Sequence, residues 1–250
     1  CCWCWAAGRE IAPAVLSVYD PSIEVQWTPL GVDGRRIDAV PTNFATIRGP
    51  LSAVLAVERV LLNFLQRLCG VATLTRAYVD AVAGTGAAIF DTRKTTPGWR
   101  ALEKYAVRCG GGSNHRMGLY DAVLLKDNHL AGIETDRLAR HVFEMLNRLS
   151  ARHAKPTFLE VEADCLEQVE QLLKVVGIDA ILLDNFSVDQ LGKAVALRDR
   201  VGLRGKVSLE ASGRINLQTV RVVAETGVDR ISVGALTHSA PALDLSLDRV

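Results

Sequence analysis

Six times between residues 87 and 233 a short apolar run gives way to a cluster of polar residues and then to a segment of helical periodicity. The runs are Ala87 to Phe90, Ala122 to Leu125, Phe158 to Val161, Ala180 to Leu183, Val207 to Leu209 and Ile231 to Val233. Helices are expected over 100–109, 136–149, 166–176, 188–196 and 217–225. Strand, turn and amphipathic helix in repetition is the βα unit, which builds a parallel sheet covered by helices. Each run ends in reactive residue types: Asp91-Thr92-Arg93-Lys94, Lys126-Asp127-Asn128-His129, Glu162-Ala163-Asp164, Asp184-Asn185, Glu210-Ala211-Ser212-Gly213 and Gly234-Ala235. In a parallel barrel the βα loops converge at the C-terminal ends of the strands, so six polar ends in succession predict a functional rim. The nearly pure apolar strand bodies predict dry walls below it. An open doubly wound sheet would offer the same ends, and the pattern leaves that alternative standing.

The segment before the repeat differs in texture. Residues 24–49 read as short strands, with turns at Pro29-Leu30-Gly31, Asp33-Gly34 and Gly49-Pro50. Residues 51–83 lack proline and carry Leu55, Val57, Leu61, Leu65 and Leu68 at helical spacing; the length and Gly70 within it predict two consecutive helices. The expected division is a small sandwich domain with linking helices over 1–84 and an α/β barrel over 85–250. A chain of 250 residues accommodates both.

Composition narrows the partners. A net charge of +1 supplies no global field for nucleic acid, so an anionic ligand needs a local cluster of cations. No apolar run reaches the roughly 18 residues that span a bilayer, and the start lacks a signal-peptide pattern, so the expected compartment is the cytosol. Cys1, Cys2 and Cys4 are bunched, but no neighbouring Cys or His completes a zinc spacing, and disulfides are not expected at this size.

The rim supplies the cations: Arg93, Lys94, His115, Arg116 and Lys126, with Arg59 on the preceding helix as a further candidate. Several guanidinium groups around one pocket suit a compact ligand with two carboxylates, because each pairs through two parallel hydrogen bonds. Glu160 and Glu162, two apart on a strand, share a face, and Asp184 ends the next strand. Such acids can hold Mg²⁺ beside a diphosphate or stabilise a cation-like sugar carbon. Alternatively they form ion pairs with Lys126 or Lys94. Ser212-Gly213 and Gly234-Ala235 suit a phosphate, or are simply turns. Neither a Walker loop nor a GxGxxG after the first strand is present, and Gly110-Gly111-Gly112 is too compact for either. A desolvated Lys126 at a strand end is also compatible with Schiff-base chemistry.

Taken in order, Glu58-Arg59-Val60-Leu61-Leu62-Asn63, Gly70-Val71-Ala72-Thr73, Asp91-Thr92-Arg93-Lys94-Thr95-Thr96-Pro97-Gly98, Gly110-Gly111-Gly112-Ser113-Asn114-His115-Arg116, Lys126-Asp127-Asn128-His129, Glu160-Val161-Glu162, Leu183-Asp184-Asn185, Ser212-Gly213 and Ser232-Val233-Gly234-Ala235-Leu236-Thr237 resemble the quinolinate phosphoribosyltransferases. The likeness runs from about Gly49 to the end. It implies a Mg²⁺-dependent reaction of quinolinate with phosphoribosyl pyrophosphate, yielding nicotinate mononucleotide, pyrophosphate and CO₂. It also implies a small, here truncated, sandwich domain before an incomplete α/β barrel, in homodimers whose subunits share each site. By the same resemblance Arg59, Thr92, Arg93, His115, Arg116 and Lys126 hold quinolinate. Lys94, Glu162 and Asp184 face ribose, diphosphate and metal, and Ser212, Gly213, Gly234 and Ala235 face the 5′-phosphate, Lys94 also touching phosphate. Arg214 stands where many members have glycine or asparagine. Rival readings are a related protein associated with molybdenum transport, a non-catalytic binder of phosphorylated ligands, and a lysine aldolase.

Overall fold

The structure, a computed structural model, describes residues 4–38, 41–152 and 158–249. Cys1 and Cys2 of the cysteine trio lie outside that range. Two compact units form, both discontinuous in sequence: one runs to residue 79 and adds 94–114 and 234 onward, the other comprises 80–93 and 115–233.

In the first unit β1 (Cys4–Trp5) pairs antiparallel with β3 (Arg36–Ile37), and β2 (Glu24–Trp27) with β4 (Ala45–Arg48). Helix α1 (Ile11–Tyr19) and the start of α2 (Leu51–Ala81) supply the core beneath them: Ala12 and Leu16 meet Val57, Leu61 and Leu65. Those α2 residues recur at i, i+4 and i+8, which is why one stripe of the helix is buried. Helix α3 (Arg100–Cys109) completes this part of the unit. Where the sequence predicts two helices, α2 is continuous, and Gly70 serves packing rather than interruption. A Cβ there would overlap the Pro241 carbonyl oxygen and lie 3.3 Å from Ala242 Cα. The C-terminal tail follows that bare strip of helix, with the Leu243 amide donating to the Gln66 carbonyl at 3.0 Å.

The second unit holds β5 (Ala88–Phe90), β6 (Val123–Leu125), α4 (Asp127–Leu130), α5 (Thr135–Arg152), β7 (Leu159–Ala163), α6 (Leu166–Leu172), β8 (Ala180–Asp184), α7 (Val188–Arg200), β9 (Ser208–Ser212), α8 (Val220–Ala224) and β10 (Arg230–Ser232). The chain then re-enters the first unit, opening with α9 (Ala235–His238). All six runs read as strands are strands, and they form one sheet in the order β5-β10-β9-β8-β7-β6, parallel throughout. Strand order advances in one direction from β6 to β10, and β5 joins beyond β10. A doubly wound sheet reverses its order partway, so this is the barrel alternative. Among the described residues the β5–β6 seam is unpaired, which makes the barrel incomplete.

The expectation of nearly pure apolar strand bodies is corrected by the register. Glu162 pairs with Leu182 and Leu182 with Glu210, while Glu210 pairs with Arg230; Asp184 pairs with Ser212. One sheet face therefore carries Glu160, Glu162, Asp184, Glu210 and Arg230. The other carries Ile89, Val161, Ile181, Leu183, Leu209 and Ile231, all buried. Strand alternation puts these sets on opposite faces, and Leu-Glu-Val-Glu-Ala and Ser-Leu-Glu-Ala-Ser display it.

Two glycines provide a test of the packing account. Gly70→Ala is expected to lose about 1–3 kcal/mol of stability in chemical denaturation, because the tail must shift to admit the methyl. Gly192→Ala in α7, where a Cβ would meet nothing within 4 Å, is expected to be neutral or to gain up to about 1 kcal/mol. Equal effects at both positions would refute the packing role of Gly70.

Candidate active site

In the barrel unit the polar face organises around His115. Its Nε2 lies 2.8 Å from Glu160 Oε2 and 3.4 Å from Glu210 Oε1, and both carboxylates are fully buried. Arg230 closes the group, its Nε donating to Glu210 Oε2 at 2.5 Å while its guanidinium sits between the rings of Phe90 and Phe158, at 3.9 and 4.8 Å from their centroids. The buried Asp91, ending β5, accepts the His115 amide at 2.9 Å and so anchors the loop. Burial raises the Glu160 carboxyl and the charge of Glu210 adds to it. Burial acts in the same sense on Glu210, but His115 and Arg230 outweigh it and hold this carboxyl low. Burial opposes the imidazolium of His115, yet its two carboxylate partners lift it to about 9. The Arg116 amide donates to His115 Nδ1 at 2.8 Å, so both ring nitrogens are engaged.

A cavity of about 470 Å³ is lined by Arg93, Arg116, Lys126, His129 and Arg148, with Leu125 and other apolar groups of β6 forming its wall. Burial, followed by the charge of Arg93, lowers the Arg116 guanidinium. Juxtaposed guanidiniums of this kind favour an anion between them. Arg93, Arg116 and Lys126, three of the residues read as quinolinate ligands, thus converge here. Thr92 is half-buried beside Arg93 in the chain, whereas His115 is engaged with the buried acids. Arg59 belongs to the other unit, exposed on α2.

Carboxylates gather at the neighbouring strand ends. Ligand oxygens of Glu162, Asp164 and Asp184 lie within 4.8 Å of one another, and Lys126 Nζ is 3.6 Å from Glu162 Oε2. Burial raises the Glu162 carboxyl, Lys126 lowers it, and Asp184 raises it again. A hard divalent cation fits three such oxygen donors. The Lys126–Glu162 pair realises one of the ion pairs anticipated above. Lys126 is half exposed and paired, which is not the dry setting that Schiff-base chemistry requires.

The phosphate candidates divide between the units. Ser212 and Gly213 end β9, where Asn185 donates its amide to the Ser212 carbonyl at 2.9 Å. Gly213 has φ 96°, and a Cβ on it would overlap Asn185 Oδ1, so only glycine fits. The exposed Arg214 has φ 52°, a conformation in which glycine or asparagine costs less. In the first unit a Cβ on Gly234 would lie 3.3 Å from Lys94 Cδ and 3.1 Å from His238 Nε2; the bare glycine leaves that space beside the start of Ala235–His238. The close-packed Gly110 and Gly112 have a different office: Cβ atoms there would strike Thr75 at 2.7 Å.

The sequence places Asp91, His129, Asp164 and Glu210 on the rim without assigning them a ligand or a partner, and it gives no sign of Arg230 in the charge cluster or of Arg148 in the cavity wall. Glu210 was legible from the alternation of β9. Arg148 lies in the body of α5, not at a strand end, and nothing local marks it.

A family model described as "Quinolinate phosphoribosyl transferase, C-terminal domain" matches residues 71–248, and the corresponding N-terminal domain model matches 3–69. The chain is 43% identical over 247 residues to the nicotinate-nucleotide pyrophosphorylase [carboxylating] of Mycobacterium leprae, covering 94% of this chain and 83% of that protein. A probable enzyme of the same name from Synechocystis is 40% identical, with 98% and 79% covered. The crystal structure of NadC from Streptococcus pyogenes superposes with a TM-score of 0.87 at 37% identity, over 99% of this chain and 82% of that one.

The proton held by the His115 cluster has a measurable consequence. A free histidine loses its proton near 6.5, whereas the cluster keeps one to about 9. Stability from this source is therefore complete below about pH 6.5 and is lost as pH rises through about 9. The melting temperature is expected to fall by a few degrees between pH 7 and 9.5, and the fall to flatten in His115→Gln. An unchanged slope in that variant would remove the cluster as its source.

Proposed function

The chain belongs to the quinolinate phosphoribosyltransferase family, and from that membership we propose that it transfers phosphoribosyl from phosphoribosyl pyrophosphate to quinolinate with decarboxylation, producing nicotinate mononucleotide, pyrophosphate and CO₂ for NAD biosynthesis. The observation that carries the reading is the convergence of Arg93, Arg116 and Lys126 on one cavity beside a carboxylate cluster. Those cations, with Thr92, hold the two quinolinate carboxylates and present the ring nitrogen to the sugar, while His115, paired with Glu160 and Glu210, holds the loop that carries Arg116. Glu162 and Asp184 place negative charge by the anomeric carbon as pyrophosphate departs. Lys94 takes the diphosphate; the 5′-phosphate candidates are Ser212 and Gly213 in the barrel unit and Gly234 and Ala235 in the first unit. As the bond to CO₂ breaks, its electron pair stays on the ring carbon beside a nitrogen already bonded to ribose, which stabilises it as an ylide until a proton from water replaces the lost carboxylate, so positioning suffices for this step. Glu162, Asp184 and Asp164 would hold Mg²⁺, which when bound neutralises diphosphate charge.

A second copy of the chain completes the site in this reading. Arg59 stands on the exposed face of α2 among Leu51, Leu55 and Val60, each at least half exposed. An arginine within an apolar, uncovered helix face fits a residue delivered to a partner's dicarboxylate. No helix among the described residues is long and apolar enough to cross a membrane. Substrates this highly charged do not cross membranes unaided, which suits work in the cytosol.

Incubation with quinolinate, phosphoribosyl pyrophosphate and Mg²⁺ is expected to release CO₂ and nicotinate mononucleotide in equal amounts, and nicotinate to be a poor substitute for quinolinate. Equal turnover of nicotinate would overturn the assignment. Glu162→Ala and Asp184→Ala are each expected to lower kcat by roughly 10²-fold or more with quinolinate affinity nearly intact. Arg59→Ala and Lys126→Ala, each nearly inactive alone, are expected to recover about a quarter of full activity when mixed, because half of randomly exchanged dimers carry one intact site. No recovery, with hybrids confirmed by native mass spectrometry, would place Arg59 within its own subunit's site or outside any site.

A further inference from the structure

Glu103, one turn into α3 and fully buried, has no part in the chemistry above, yet four donors of the first unit converge on it. Its Oε2 accepts the Thr96 amide at 3.0 Å, and its Oε1 accepts Thr96 Oγ1 at 2.8 Å and Arg67 Nε and Nη2 at 3.1 and 2.6 Å. Arg67 also donates Nη1 to the Ala240 carbonyl at 2.7 Å and Nη2 to the Thr237 carbonyl. Thr237, fully buried, turns its hydroxyl to the Lys94 carbonyl at 2.7 Å, with the Gly234 carbonyl at 3.2 Å. The strand-end segment bearing Lys94 and the turn bearing Gly234 and Ala235 are thus tied directly to each other, and both are tied through Arg67 to α2.

Burial of this kind is poor evidence for stability, since apolar replacements of buried ion pairs are often neutral or better. What such a network supplies is geometry: Thr96 and Thr237 bind the two segments, and the Arg67–Glu103 pair fastens them to α2 and α3, leaving little freedom for either segment to shift alone. We propose that Thr237, and Glu103 acting through Thr96 and Arg67, are positioning residues for the phosphoribosyl group, setting the distance between Lys94 and the Gly234-Ala235 turn. This rests on the assignment of those three residues to phosphoribosyl pyrophosphate. Neither Thr237 nor Glu103 touches the substrate; each acts on main chain that does.

Thr237→Val keeps the shape and removes the hydroxyl, Thr237→Ser restores it, and Thr96→Ala removes one donor to Glu103 from an exposed residue whose loss does not threaten folding. Steady-state constants for both substrates are measured with calorimetric binding of phosphoribosyl pyrophosphate and a melting curve. Thr237→Val is expected to raise KM and Kd for phosphoribosyl pyrophosphate about tenfold, Thr96→Ala several-fold, with KM for quinolinate within about twofold and Thr237→Ser close to wild type. A lowered melting temperature with unchanged KM and Kd for phosphoribosyl pyrophosphate, or an equal rise for both substrates, would reduce the network to a structural one. Wild-type protein that turns over neither substrate would instead sink the functional assignment, and this proposal with it.

Discussion

Two carboxylates inside a parallel barrel are the constraint on which the rest of the structure turns. Glu160 and Glu210 sit where barrels ordinarily pack branched aliphatic side chains, and neither is accessible to water. A buried acid persists only if it is paired or protonated. His115 and Arg230 pair them, and Phe90 and Phe158 flank the guanidinium. This requirement draws the His115 loop inward, Asp91 secures its main chain, and Arg116, the next residue, is thereby placed on the wall of the cavity.

Charge separation at the rim follows. Cations line the cavity at β5 and β6, acids gather at β7 and β8, and Lys126 belongs to both, facing the cavity while paired with Glu162. A substrate pair made of a dicarboxylate and a sugar diphosphate matches that division, because one partner needs guanidinium forks and the other needs metal-holding oxygens. The unpaired β5–β6 seam leaves the β6 edge as part of the cavity wall, where a complete barrel would have covered it.

Glycine sets close approach at three separate places in the fold. Gly70 admits the C-terminal tail to α2, Gly110 and Gly112 admit the end of α3 to the same helix, and Gly213 admits the Asn185 side chain. Only the last stands at a strand end. The run Gly110-Gly111-Gly112, which looks like a phosphate loop by composition, serves helix packing, and this explains why its spacing matched no nucleotide motif.

Local patterning was enough to reveal the six strands, the helices between them and a rim of reactive residues, since apolar periods of 2 and 3.6 are written residue by residue. Arg93, Arg116 and Lys126 were identifiable because each ends a strand or adjoins a glycine turn. The barrel order was not, because strand ends look alike in a barrel and in an open sheet. Nor was the continuity of α2 across Gly70: the reason for that glycine is the Pro241 carbonyl, 171 residues away in the chain. The pairing of His115 with Glu160 and Glu210, and of Glu103 with Arg67 and Thr96, likewise joins segments with no local signal in common. Sequence alone determined which residues carry charge and which strand or helix bears them; tertiary structure decided which charges meet, because the cost of burying a charge depends on partners that only the folded chain brings within a few ångströms.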